Sequence, residues 1–99
     1  MDTITIIGSI LAFRKDGISE KELENIYYFL SEHFNICISK SIREIYYEIE
    51  SINDNFYLIG SRLKFDPYYL GEDFLKRKYF NPLSYKDKSI IYGLLAMVK

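Results

Sequence analysis

The chain is poor in the residues that staple, ligate or catalyse. Its 99 residues include one cysteine, one histidine, two prolines, five glycines and no tryptophan. Cys37 alone cannot close an internal disulfide, and no cysteine–histidine cluster offers metal-ligand spacing. It reads as a small apolar side chain. His33 has no nucleophile or second imidazole at a useful spacing, and reads as the end of a helix, where a partly positive ring suits the dipole. The glycines at 8, 17, 60, 71 and 93 never cluster ahead of a Lys-Ser/Thr pair, which excludes a phosphate-binding loop. Acidic residues are plentiful, yet nothing sets two of them against a nucleophile. No catalytic residue, metal, cofactor or small-molecule substrate is expected. Long apolar runs are missing too. The stretch from Ile4 to Phe13 is too short to span a bilayer and lacks the basic leader and cleavage site of a signal peptide. The expectation is a reduced, soluble, cytoplasmic protein with no membrane partner.

What the chain has in quantity is tyrosine, ten residues of it. A chain this short makes one small domain with one modest core, so tyrosines beyond its needs supply contact surface. The net charge of −1 conceals an asymmetry. Residues 1–61 carry five Lys/Arg against ten Asp/Glu, while residues 62–99 carry eight against four. Such a division fits a polar binding face, and fits head-to-tail self-association equally well.

Apolar spacing and cap residues divide the chain into elements. Asp2 or Thr3 caps a first helix reaching about Arg14, with Ile7, Ile10, Leu11 and Ile4 inward, and Gly17 takes the left-handed position after it. Ile18 stands alone as a very short strand. Ser19 and Glu22 form a capping box, and Leu23, Ile26, Tyr27, Leu30 and Phe34 make one inward face of the helix that follows. Asn35 to Ile38 is a turn. Ser39 or Ser41 caps a third helix with Ile42, Ile45, Tyr46, Ile49 and Ile52 inward, and Asn53-Asp54-Asn55 stops it. Asp66-Pro67 opens a fourth helix of irregular character, weakened at Gly71 and broken at Asn81-Pro82. Ser84 caps a last helix bearing Ile90, Ile91, Leu94, Leu95 and Val98.

Between the third and fourth helices, Phe56 to Phe65 predicts a β-hairpin closed by Gly60-Ser61. Glycine first in a two-residue loop points to a type II′ turn, which needs φ > 0 there. The turn fixes the register: Ile59 faces Arg62, Leu58 faces Leu63, Tyr57 faces Lys64 and Phe56 faces Phe65. Alternation puts Phe56, Leu58, Leu63 and Phe65 on one side, and Arg62 and Lys64 in water on the other. Three helices followed by such a hairpin predict a winged helix-turn-helix domain over residues 1–82, of α+β class and mostly α. Residues 83–99 form a C-terminal helix that either packs back or dimerises. A homodimer is expected, since two-fold pairing is the commonest way to bury its apolar stripe.

Winged helices grip DNA or dock on protein, and residues for both are present. For DNA, the third helix offers Lys40, Ser41 and Arg43 in its first turn, the wing Arg62 and Lys64, and the segment beyond Lys76, Arg77 and Lys78. Against it, Glu44, Glu48 and Glu50 on the third helix repel phosphates, so duplex binding should be weak and led by the wing. For protein, the aromatics outside the inward stripes are Tyr28, Phe29, Tyr47, Tyr68, Tyr69, Tyr79 and Phe80, beside the stripe of Ile91, Leu94, Leu95 and Val98 on the last helix.

Three segments carry a resemblance. Ile6-Ile-Gly-Ser-Ile-Leu-Ala-Phe13 followed by Asp16-Gly17-Ile18-Ser19, the hairpin Phe56 to Phe65, and Leu83-Ser84 followed by Ile90-Ile91 and Leu94-Leu95-Ala96 resemble the N-terminal part of segregation and condensation protein B. That family supplies the winged-helix subunit of prokaryotic condensin. The resemblance implies a non-enzymatic protein of chromosome organisation, associated with the nucleoid, a homodimer and partner of a kleisin-like subunit. The family has two winged helices, and this chain stops after what would be the first helix of the second. The alternative is a DNA-binding transcriptional regulator of the winged-helix class.

Overall fold

Asp2 starts the first helix, its Oδ1 accepting from the Thr5 amide at 2.8 Å. A computed structural model describes residues 1–14, 16–50, 56–65 and 73–98. Within them, α1 spans Thr3–Leu11, β1 Ile18–Ser19, α2 Glu20–Phe34, α3 Ile42–Glu50, β2 Phe56–Ile59 and β3 Arg62–Phe65. A π-helix over Lys76–Phe80 and α4 over Tyr85–Met97 complete an α+β, mostly helical molecule.

Helix α1 ends earlier than its apolar run. The amides of Phe13 and Arg14 reach back only three residues, to the carbonyls of Ile10 and Leu11, and this tighter turn closes the helix. Its burial also differs from a one-sided stripe. Ile6, Ile7, Gly8, Ser9, Ile10 and Leu11 are all buried, because α1 packs against α3, the π-helix and α4. A helix packed against three elements has room for little polar surface, and α1 carries no charge and only the small hydroxyls of Thr3, Thr5 and Ser9.

The capping box of α2 is complete: Ser19 Oγ accepts from the Glu22 amide at 3.2 Å, and Glu22 Oε1 accepts from the Ser19 amide at 3.1 Å. Leu23, Ile26 and Leu30 are buried and Tyr27 is half-buried. Phe34 departs from the expected stripe. It is 38% exposed in the last turn, where Asn35 takes a left-handed φ of 55° and leads the chain away. Ser41 is the cap of α3, its Oγ accepting from the Glu44 amide at 3.3 Å. Ile42, Ile45 and Ile49 are buried beneath it. Ile52, the stop at Asn53-Asp54-Asn55 and the start at Asp66-Pro67 lie outside the described residues.

The hairpin pairs in the expected register, Phe56 with Phe65 through Ile59 with Arg62. Gly60 has φ +61°, and Ser61 is not among the positive-φ residues, which is the type II′ pattern. The short strand β1 joins the other edge of β3, Ile18 opposite Leu63, giving the order β1-β3-β2. Phe56, Leu63 and Phe65 are buried. Leu58 is only half-buried, because β2 is an edge strand while Leu63 sits on the central one.

The fourth helical segment winds wide. Residues 73–75 are α-helical, the turn then loosens, and the Asn81 amide donates to the Lys76 carbonyl five residues back at 2.7 Å. Tyr79 and Phe80, expected at the surface, are buried against α1. Helix α4 folds back onto the same core. Ile90, Ile91, Leu94 and Val98 are buried and Leu95 is half-buried.

Candidate association surface

The cations expected to face DNA are largely engaged within the molecule. Just ahead of α3, the Lys40 ammonium lies 2.5 Å from Glu48 Oε1. Ser41 spends its hydroxyl on the cap. Arg43 is exposed. On the wing, Arg62 does not stand free in water. Its Nη1 donates to the Asp16 carbonyl at 2.8 Å and lies 3.6 Å from Glu22 Oε1. Lys64, half-buried, lines the same depression with Arg14, Asp16, Ser19 and Glu22.

Glu22 is the hub of that depression. It closes the α2 cap, meets Arg14 Nη2 at 2.6 Å and receives Arg62. Burial alone would raise its pKa. The Ser19 hydrogen bonds and the Arg14 guanidinium more than offset this and hold the carboxyl below its ordinary range. Arg14 also donates to the Val98 carbonyl, tying the end of α1 to the end of α4.

Beyond the wing, the Lys76 ammonium sits 4.9 Å above the Phe13 ring, and Lys78 sits 5.6 Å from the Phe74 ring. Arg77 Nε donates to the Asp73 carbonyl at 3.3 Å. Phe13 meets Phe80 edge-on at 4.9 Å, Phe80 meets Tyr92 at 5.4 Å, and Lys88 lies 5.5 Å above Phe80. The result is an aromatic cluster bearing two lysines, with Tyr92 at its exposed side. Sequence reasoning did not foresee it. Phe13 and Phe80 belong to different elements far apart in the chain, and no spacing rule joins them.

Of the residues expected to meet protein, Tyr28 is 70% and Tyr47 61% exposed, whereas Tyr68 and Tyr69 lie outside the described residues. The stripe on α4 is corrected: Ile91, Leu94 and Val98 fill the chain's own core and are not a free face, and Leu95 is partly covered. Cys37 is exposed. His33, in the last turn of α2, packs against Phe29 at 4.4 Å. Among the described residues no three His, Cys, Asp or Glu gather as metal ligands would, and no helix is long and apolar enough to cross a membrane.

No protein family, curated protein or solved structure matches this chain at a significant level.

Proposed function

We propose that this is a winged helix-turn-helix protein that works by associating with protein, and that it does so in chromosome organisation as the resemblance to protein B of condensin implies. The fold part is supported by the element order: three helices, a short strand before the second and a hairpin after the third, with β1 paired to the hairpin's inner strand. The association part is carried by one observation. Around the third helix and wing, Lys40 is held on Glu48 and Arg62 lies beside Glu22, while Tyr28 and Tyr47 stand exposed. Cations already paired with carboxylates gain little from phosphates, so this surface offers duplex DNA less than its count of Lys and Arg suggests. Second copies of the chain and a kleisin-like subunit are the partners in this reading. The chromosomal role rests on the resemblance alone.

Exposed Arg43 in the first turn of α3 favours a second reading, a winged-helix transcriptional regulator. Fluorescence anisotropy with duplex DNA separates the two. The association reading expects binding no tighter than about 10⁻⁶ M at physiological salt, the non-specific range. It also expects Lys64, Arg77 and Lys78 to matter more than Arg43. Nanomolar, sequence-selective binding abolished by Arg43→Ala would replace it with the regulator.

A further inference from the structure

We infer that the chain assembles head to tail, the basic aromatic surface around Phe13, Lys76, Lys88 and Tyr92 of one copy docking on the acidic surface of α2 and α3 of the next. The inference rests on the protein-association reading and names the partner as a second copy. Both halves of the contact are present on one molecule. Between residues 73 and 98 there are five Lys/Arg and two Asp, while residues 20–50 hold seven Glu against three Lys/Arg. Within that stretch Lys40 pairs with Glu48 and Glu22 with Arg14 and Arg62, and the other five Glu still outnumber Lys21 and Arg43.

On the basic side, Lys76 and Lys88 are held over the ring faces of Phe13 and Phe80, so their charge stays beside the aromatic cluster. Tyr92 is 55% exposed and Phe13 37%, leaving apolar area to bury. On the acidic side, Glu20, Glu24 and Tyr28 follow one another at helical i, i+4 spacing on the exposed side of α2. The acidity continues on α3, where Glu44 is exposed one turn ahead of exposed Tyr47. Burial raises the Tyr27 pKa first, and Glu20 of α2 with Glu44 and Glu48 of α3 raises it further. Exposed tyrosines among glutamates face exposed aromatics among lysines, the pairing of anchors and opposite potentials that interfaces use.

The two surfaces share no element. In a head-to-tail contact only one face of each copy is used at a time, so each added copy presents the other face anew, and association continues past two unless the geometry closes a ring.

Sedimentation velocity on the full chain tests this, at about 0.1 M and about 1 M salt, where the Debye length falls from about 10 Å to about 3 Å. The expected result is species growing beyond the dimer with concentration in low salt, and monomer in high salt. Lys76→Glu/Lys88→Glu and Glu24→Lys/Glu44→Lys should each be monomeric alone, with folding checked by circular dichroism, and should associate again when mixed in equal amounts. Should a double variant not fold, Tyr92→Ala and Tyr28→Ala take its place, each expected to abolish growth. A closed dimer that does not grow, whether or not it responds to these substitutions, would overturn the head-to-tail contact while leaving the association reading standing. A wild-type monomer at high micromolar concentration in low salt, or a mixture that stays monomeric, would overturn it as well. The DNA titration decides the association reading separately.

Discussion

Gly8 is in the middle of a helix, where glycine is normally a weakness, and the structure gives the reason. A Cβ on Gly8 would lie 2.4 Å from Cδ2 and 2.7 Å from Cγ of Tyr79. That ring is 7% exposed and has no free space to swing into. Alanine improves helix propensity by about 1 kcal/mol, but overpacking a filled core costs about 1–3 kcal/mol. Gly8→Ala should therefore be destabilising on balance, and paired with Tyr79→Leu should recover part of the loss. Equilibrium urea denaturation reads both. A stabilised Gly8→Ala would show that Tyr79 does not press on α1. From the sequence, Gly8 is only an interruption of an apolar run, since its partner ring arrives from a segment 71 positions later.

At the level of elements, legibility follows the range of the interaction. The caps at Asp2, Ser19, Ser41 and Ser84 join residues three apart, and all four accept as such caps do. The hairpin register follows from one turn and strict alternation, and it too was readable. Two features depend on what packs from elsewhere and were not. Helix α1 has no charged residue to mark a solvent side, so spacing alone does not single out Ile6 as inward. The apolar face of α4 looked the same whether a partner or its own core covered it. The π-helix was visible only as irregularity. Phe65, 8% exposed and 5.2 Å from the Phe56 ring, anchors the sheet to the helices. Phe65→Ala should cost about 3–5 kcal/mol. A loss below about 1 kcal/mol in the same denaturation assay would mean that the hairpin contributes little to the core.

On the scale of the whole molecule, the Arg14–Glu22–Arg62 group binds the end of α1, the start of α2, the central strand and the end of α4. From the sequence Glu22 is legible as the capping partner of Ser19 and Arg62 as a wing cation, but their meeting with Arg14, like the aromatic–lysine cluster, appears only once distant segments come together. Because Glu22 titrates lower when folded, the stability it confers is complete above its ordinary value of 4.5 and is lost as pH falls through the lowered one. Thermal melts over that acid range should show Glu22→Gln less stable near neutrality and less pH-sensitive than wild type. Parallel curves would exclude Glu22 as the source. The fold-back of α4 has a consequence for biosynthesis. Helix α1 carries no charged residue, and the Ile91 and Leu94 side chains that complete its surroundings are made eighty or more residues after it. Until they emerge, α3 and the π-helix can cover only part of α1, and the side that α4 closes stays bare. Any nick or stall ahead of Tyr85 strands it in that state, so such fragments should be substrates for chaperones and proteases and not smaller folded domains.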